Sequence, residues 1–424
     1  MRTYRELFAA PEFTPLFVCS SAQGAAQTVS GLALGTLVYA ATGNPLLSGL
    51  AMFGPALAQV AGAATLLSAA DRLPPRAALA GLALFLALGT AALAIPGLPV
   101  WVMIAILVAE GLLASLGGGV RYGLLNEILA SGGYLLGRSA LNMASGAVQI
   151  GGFALGGVLV FTLSPRGTLL TGAALYLVAA VAVAGLKRHQ PRAEGRPSPA
   201  ETWRSNVLLW SSAPRRRVYL ALWVPNGLVV GCESLFVPYA PQHAGLLFAC
   251  AAAGMLAGDV LAGRFIPPEG RTRLVTPLHL LLAAPYVIFL LGPATPVAAA
   301  AVTLASVGYA ASLLLQHRLM ELTPDELSGH ALGLHSSGML AMQGVAAVLA
   351  GTLAQWTSPA AAMAVLAAAS VAVTVFFPVR PEPSPGVATG TQHRSKLPLT
   401  RGKSSPGEGQ DTHDAHRAGA AEGG

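Results

Sequence analysis

Two ionisable residues share one otherwise apolar run of the sequence. Glu110 lies in the middle of "ILVAEGLLASLGGGVRYG", and Arg121 follows eleven residues later. In a helix, eleven residues make about three turns, which places both side chains on nearly the same face. Burial favours the neutral form of a carboxyl group, so a glutamate in this setting has the chemistry of a site that binds and releases a proton.

Glu110 is therefore the first candidate for proton exchange, and Glu233, in "NGLVVGCESLFVPYA", is the second. Simpler alternatives remain open. Glu110 could be a hydrogen-bonded side chain that only braces its helix. Glu233 could be a partly hydrated residue near the surface, or it could bind a cationic group. Arg121 could attract an anion or anchor the end of its helix.

Several neutral polar residues also interrupt apolar runs. Such groups suit orienting hydrogen bonds inside a largely apolar cavity. Each is equally compatible with a hydrogen bond between helices, which contributes about 0.6 kcal/mol in membrane proteins. The candidates for lining a substrate cavity are Gln23, Gln27, Gln149, Asn226 and Gln343.

The composition indicates where these side chains reside. The 424-residue chain is 54% hydrophobic and only 10% charged, whereas soluble domains carry about 25% charged residues. A soluble fold could not cover this much apolar surface, so the chain is predicted to be an integral membrane protein. The three cysteines are far apart and lack metal-ligand spacing, so we expect neither a metal nor another cofactor.

Runs of about 20 apolar residues are long enough to cross a bilayer as helices. Twelve such spans are predicted, with an all-α fold: 14–40, 46–69, 77–96, 99–123, 139–162, 168–186, 218–240, 244–265, 274–292, 295–316, 331–354 and 359–378.

The basic residues support this count. When the connections alternate from an inside N-terminus, only Arg166 of the 25 Lys and Arg residues falls outside. This asymmetry is typical of cytoplasmic loops, so both termini are predicted to be cytoplasmic in a multi-pass protein of the cell membrane. It also explains the net charge of +7 without a nucleic-acid partner.

The chain is predicted to divide into two bundles of six helices. The bundles are 1–186 and 217–379, joined by a polar cytoplasmic linker, 187–216, and followed by a disordered tail, 380–424. The linker stretch "ETWRSNVLLW" could be an amphipathic helix on the membrane or a solvated loop. A shift of 192 residues aligns Gly62 with Gly254, and Gly152 with Gly344. The two bundles are therefore predicted to be pseudo-symmetric repeats.

Two motifs resemble the major facilitator superfamily, and within it bacterial drug-efflux and secretion-effector exporters. "DRLPPR" (71–76) resembles the superfamily loop G-x-x-x-D-R-x-G-R-R, although Leu67 occupies the position of the leading glycine and two prolines replace the central Gly-Arg. "GGFALGG" (151–157) resembles the fifth-helix antiporter motif G-P-x-x-G-G. It matches at Gly152, Gly156 and Gly157, with Phe153 in place of the proline.

The resemblance implies a gating role for the first motif. Asp71 would act as a latch against the eleventh helix, and Arg72 and Arg76 would pair with acidic residues such as Glu127. Asp259 and Arg264 are the possible counterparts in the second half. The alternative for the arginines is that they are ordinary anchors on the cytoplasmic side. The glycines of the second motif could equally serve simple close packing of helices.

The leading expectation is a non-enzymatic, monomeric antiporter that exports a small amphiphilic molecule by alternating access, with protons as the coupling ion. Uptake of a small metabolite is the nearest alternative. A membrane scaffold or sensor without transport is the alternative from a different class.

Overall fold

The computed structural model describes residues 3–70, 73–129, 133–187, 189, 199–265, 271–324 and 327–377. These residues are almost entirely helical and contain no β-strand, which confirms the predicted all-α fold. The helices are α1 (Tyr4–Ala9), α2 (Phe13–Thr42), α3 (Pro45–Ala70), α4 (Pro75–Leu93), α5 (Val100–Ile128), α6 (Tyr134–Ala182), α7 (Pro199–Ser211), α8 (Ala213–Ser234), α9 (Phe236–Tyr239), α10 (Ala244–Phe265), α11 (Arg271–Ala283), α12 (Thr295–Val307), α13 (Ala310–Glu321), α14 (Ser328–Trp356) and α15 (Pro359–Phe376).

Ten helical stretches of the described chain are long and apolar enough to cross a membrane. One of them contains α6, which is 49 residues long and holds the predicted fifth and sixth spans. These spans are separated at Ser164, whose φ of 68° and ψ of 164° break the helical path just before Pro165. The predicted first span corresponds to α2, which has 30 residues. All twelve predicted spans thus coincide with helical segments.

Two predicted spans are interrupted in the structure. The ninth begins as α11 and continues as a 3₁₀ segment, Ala284–Leu291, at Pro285. The tenth is divided into α12 and α13 around Gly308. A Cβ atom at Gly308 would lie 2.6 Å from the backbone nitrogen of Leu282. Close packing against the ninth span therefore requires glycine at this break.

Equivalent helix pairs pack together in the two halves. The pairs are α2 with α6 and α3 with α5 in the first half, and α8 with α14 and α10 with α12 in the second. The aligned glycines show this equivalence. Gly62 of α3 packs against the carbonyl of Leu112 in α5, and Gly254 of α10 packs against the carbonyl of Thr303 in α12.

The halves meet through two reciprocal helix pairs, α3 with α14 and α6 with α10. The halves approach closely at Gly157 and Gly245, where a Cβ atom added at Gly157 would lie 2.8 Å from the Gly245 Cα. Gln355 Nε2 donates a 2.6 Å hydrogen bond to Asn44 Oδ1. Tyr39 donates one of 3.4 Å to the Pro238 carbonyl. We call this end of the bundle, where α2, α9 and α14 end, the sealed end.

The linker contains a helix, α7, so its amphipathic stretch is helical and not a loop. Trp210 of α7 stacks on Trp223 of α8 with ring centroids 5.6 Å apart. Arg215 donates a 3.0 Å hydrogen bond to the Leu208 carbonyl. The chain divides into two units, Met1–Pro381 and Glu382–Gly424. The second unit, which includes most of the predicted tail, lies outside the described residues.

Candidate binding cavity

A cavity of about 500 Å³ lies within the membrane-spanning bundle. Its wall is formed mainly by α2, α3, α4, α5 and α6, all from the first half. From the second half, α14 contributes Leu340 and Gln343. A volume of this size falls in the range that holds small organic ligands.

Glu110 reaches the cavity from the middle of α5. Gly89 of α4 makes room for it, because a Cβ atom at that position would overlap Glu110 Oε1. The Thr90 hydroxyl donates a 3.3 Å hydrogen bond to the same oxygen. Tyr176 of α6 is close enough to interact electrostatically with the carboxyl group. Thr90 and Tyr176 also line the cavity, so the three residues form one polar corner.

Arg121 lies near the other end of the same α5 face. Eleven residues of helix place it about 16 Å from Glu110 along the axis. Its guanidinium Nη2 donates a 2.8 Å hydrogen bond to Gln23 Oε1 of α2. Both residues line the cavity.

Apolar side chains line part of the wall beside these two polar sites. They include Phe53, Leu86, Leu107 and Phe153. Phe153 also stacks on Phe248 of α10, with ring centroids 4.7 Å apart, and so joins the wall to the second half. The cavity can therefore hold an apolar body between two polar ends.

The structure places four of the five neutral polar candidates in the cavity wall: Gln23, Gln27, Gln149 and Gln343. Asn226 is not among the lining residues. Its side chain is fully buried inside the second half and donates hydrogen bonds to the Leu222 carbonyl at 2.7 Å and to Ser312 Oγ at 2.6 Å. The sequence left two alternatives for Asn226, lining a cavity or forming a hydrogen bond between helices. Its contacts match the second.

Glu233 also lies away from the cavity wall. It is only 8% exposed and packs inside the second half. Tyr309 donates a 3.2 Å hydrogen bond to Glu233 Oε1. Glu233 is therefore more buried than the partly hydrated position considered above. The rings of Tyr286, Phe289 and Phe236 fill this part of the core.

The structure describes three of the five residues of the predicted latch, Arg76, Asp259 and Arg264. Asp71 and Arg72 lie outside the described residues. Arg76 lies in the first turn of α4 and is half-buried. Asp259 and Arg264 are exposed on α10, and the Arg264 guanidinium lies 6.0 Å from the centre of the Phe265 ring.

The glycines of the fifth-helix motif lie at helix crossings. A Cβ atom at Gly152 would lie 3.0 Å from Thr28 Cβ, and Gly156 lies against Val29, both on α2. Gly157 contacts Gly245 of α10. These positions let α6 pack closely against its own half and against the other.

Sequence reasoning did not single out several residues of the wall, namely Ser20, Ser21, Gln59, Thr90 and Tyr176. Gln59 could have been found by the same rule as the other glutamines, since it interrupts an apolar run. Thr90 and Tyr176 carry no comparable signal, because both residue types are common on ordinary membrane helices. Within the described part of the chain, no group of three His, Cys, Asp or Glu side chains is placed to bind a metal.

Known proteins match this chain both in sequence profile and in fold. The sequence profile of the Major Facilitator Superfamily matches residues 16–314. A bacterial homologue of the human lysosomal transporter Spinster, solved inward-facing and unoccupied, superimposes with a TM-score of 0.66 at 13% identity, covering 89% of this chain and 95% of the other. A POT family transporter in complex with a thioalcohol-conjugated peptide gives 0.67 at 12% identity, covering 86% and 94%. No curated protein matches the sequence.

Proposed function

The chain belongs to the Major Facilitator Superfamily of membrane transporters, and from that premise we propose that it is a proton-coupled antiporter that exports a small amphiphilic organic molecule by alternating access. One observation carries the proposal. A carboxyl group, Glu110, lies in the wall of a membrane-embedded cavity large enough for a small molecule.

The surroundings of Glu110 suit reversible protonation. It forms no ion pair within the described chain, and the hydrogen bond found for it comes from the neutral Thr90 hydroxyl. An unpaired carboxylate is costly in a low-dielectric site, so protonation relieves that cost when the cavity is dry. Water or a cationic partner would reverse the balance. Opening the cavity to one side and then the other would thus load and release a proton.

The contacts of the sealed end support alternating access. The Gly157–Gly245 crossing and the Asn44–Gln355 hydrogen bond join the two halves at that end. We place the sealed end outside, because Lys and Arg are concentrated at the opposite end, and propose that this conformation faces inward. In the proposed cycle these contacts break as the halves rock, and the opposite ends close.

Export is favoured over uptake by two observations. The cavity wall combines apolar side chains with neutral amides, which suits an amphiphile. Gly157 of the antiporter-like motif packs where α6 crosses α10 of the other half. We place the chain in the cytoplasmic membrane as a monomer with both termini inside, acting without a cofactor.

Reconstituted vesicles test the proposal. The purified chain is placed in liposomes with an imposed pH gradient, and uptake or release is followed for a panel of hydrophobic cations, anions and natural products. We expect movement against the proton gradient for at least one compound, and reversal when the gradient is reversed. Movement that ignores the gradient would contradict proton coupling, and movement with the proton gradient would indicate uptake.

A further inference from the structure

Arg121 is a cation in the cavity wall without a counter-charge. Within the described chain no carboxylate forms an ion pair with it, and its side-chain hydrogen bond goes to a neutral amide oxygen, Gln23 Oε1. Arg121 is partly buried, and an unpaired charge is costly to the extent that it is removed from water. An anionic ligand would supply the missing partner.

Gln23 supplies a second, independent sign of a missing acceptor. Its side chain is 7% exposed. Because Oε1 accepts the hydrogen bond from Arg121, Nε2 remains as a donor, and this buried atom has no partner. Leaving a buried donor unsatisfied destabilises the folded chain. The hydroxyls of Ser20 and Ser21, which belong to the same wall, are likewise buried without partners.

Glu12 and Glu127, two acidic residues described at this end of the first half, both contact His189. Glu12 Oε2 lies 2.7 Å from His189 Nε2, and Glu127 Oε2 lies 3.1 Å from His189 Nδ1. A second cation adds to the positive field, because the Arg138 guanidinium lies 5.4 Å from the centre of the Tyr122 ring, which lines the cavity. Arg121 and Arg138 thus place two cationic side chains beside Tyr122 at this end of the cavity.

From these observations we infer that Arg121 and Gln23 bind the anionic group of the transported molecule, and that the substrate is an amphiphilic organic anion. The planar guanidinium suits a carboxylate or a phosphate, with the Gln23 amide as an additional donor. The apolar wall receives the body of the molecule, which extends toward Glu110. This inference rests on the proposed transport function and assigns the substrate class.

A ligand-stabilisation assay tests the inference without any gradient. Four probes share one apolar body: 4-butylbenzoate, 4-butylphenyl phosphate, 4-butylbenzamide and 4-butylbenzylamine. The apparent melting temperature of the purified full-length chain is measured against the concentration of each probe, since a ligand that binds the folded state raises it. We expect stabilisation by the benzoate or the phosphate, and little by the amide or the amine.

Variants of the full-length chain test the assigned residues. Arg121→Gln is expected to raise the half-saturating concentration of the anion at least about tenfold, which corresponds to losing one charge-assisted hydrogen bond. Arg121→Lys should lose less. Gln23→Glu should also abolish anion binding, because it supplies an internal carboxylate for Arg121. The control, Arg166→Gln, changes an exposed arginine on α6 outside the cavity wall and should bind as the wild type does.

The inference is overturned if no anion stabilises the wild type more than the matched amide, or if both Arg121→Gln and Gln23→Glu bind the anion unchanged. A chain that binds the anion through Arg121 but moves it independently of pH would contradict proton coupling alone. A chain that moves an amine or a neutral amide against the proton gradient, with Arg121→Gln unaffected, would support the proposed function and reject the anionic substrate class.

Discussion

Glu110 and Glu233 are both carboxylates embedded in the membrane-spanning bundle, one in each half, and their surroundings differ. Glu110 reaches a cavity and accepts one hydrogen bond, from Thr90. Glu233 is enclosed among aromatic rings and accepts a hydrogen bond from Tyr309. The halves share a packing frame, as Gly62 and Gly254 show. The repeated fold thus places one acid at a cavity in the first half and encloses the other inside the second half.

Because the two halves pack in the same way at Gly62 and Gly254, we expect alanine at either position to cause a similar and large loss of stability. Gly62→Ala and Gly254→Ala each place a methyl group against backbone of the neighbouring helix. Overpacking of this kind costs about 1–3 kcal/mol, so both variants should lower the apparent melting temperature of the purified protein by similar amounts.

Gly151→Ala and Gly263→Ala are the matched controls, because a Cβ atom at either position meets no atom within 4 Å. Alanine favours helix over glycine by up to about 1 kcal/mol, so these controls should be neutral or stabilising. A loss of stability at only one of Gly62 and Gly254 would show that the two halves do not share the frame.

The different surroundings of the two acids predict unequal effects when their donors are removed. Tyr309→Phe leaves the enclosed Glu233 without its described donor, and we expect a loss of about 1–2 kcal/mol of stability. Thr90→Val removes the hydroxyl beside Glu110, where cavity water can replace it, so a loss below about 1 kcal/mol is expected. Thermal unfolding of both variants in the same detergent checks the order. Equal losses would remove the distinction between an enclosed and a cavity-facing acid.

We expect the smallest effect on stability from the hydrogen bond between Asn44 and Gln355, which joins the two halves. Asn44 Oδ1 accepts hydrogen bonds from Gln355 Nε2 and from the backbone nitrogens of Leu46 and Leu47 at the start of α3. In a double-mutant cycle of Asn44→Ala and Gln355→Ala, we expect a coupling energy of about 0.5–1 kcal/mol. A coupling energy of zero would mean that this hydrogen bond does not hold the sealed end together.

Much of the fold follows from apolar runs and charge alone. The predicted span 244–265 coincides with α10, because Gly, Pro and charged residues define the ends of such runs. The break at Gly308 was not predicted. The local sequence there is apolar and helix-compatible, and the interruption depends on a contact with Leu282, 26 positions earlier in the chain.

The candidate site was predicted in part for a similar reason. A polar residue in an apolar run predicts a side chain that faces away from lipid. This rule selected Glu110 and four glutamines that line the cavity in the structure. The same signal cannot separate a cavity from an enclosed hydrogen-bonded position. Asn226 and Glu233 also face away from lipid, but they form hydrogen bonds inside the second half, with Ser312 and Tyr309 respectively. That distinction depends on which helix faces which neighbour, which a sequence without structure does not specify.

Proton movement during transport separates the two acids. Vesicles containing the wild type, Glu110→Gln or Glu233→Gln are loaded with a pH-sensitive dye and given a transported compound at equal internal and external pH. The account predicts a compound-driven proton flux in the wild type and in Glu233→Gln, and a reduction of at least about tenfold in Glu110→Gln, whose amide cannot exchange the proton. An unchanged flux in Glu110→Gln, or a flux lost only in Glu233→Gln, would contradict the account.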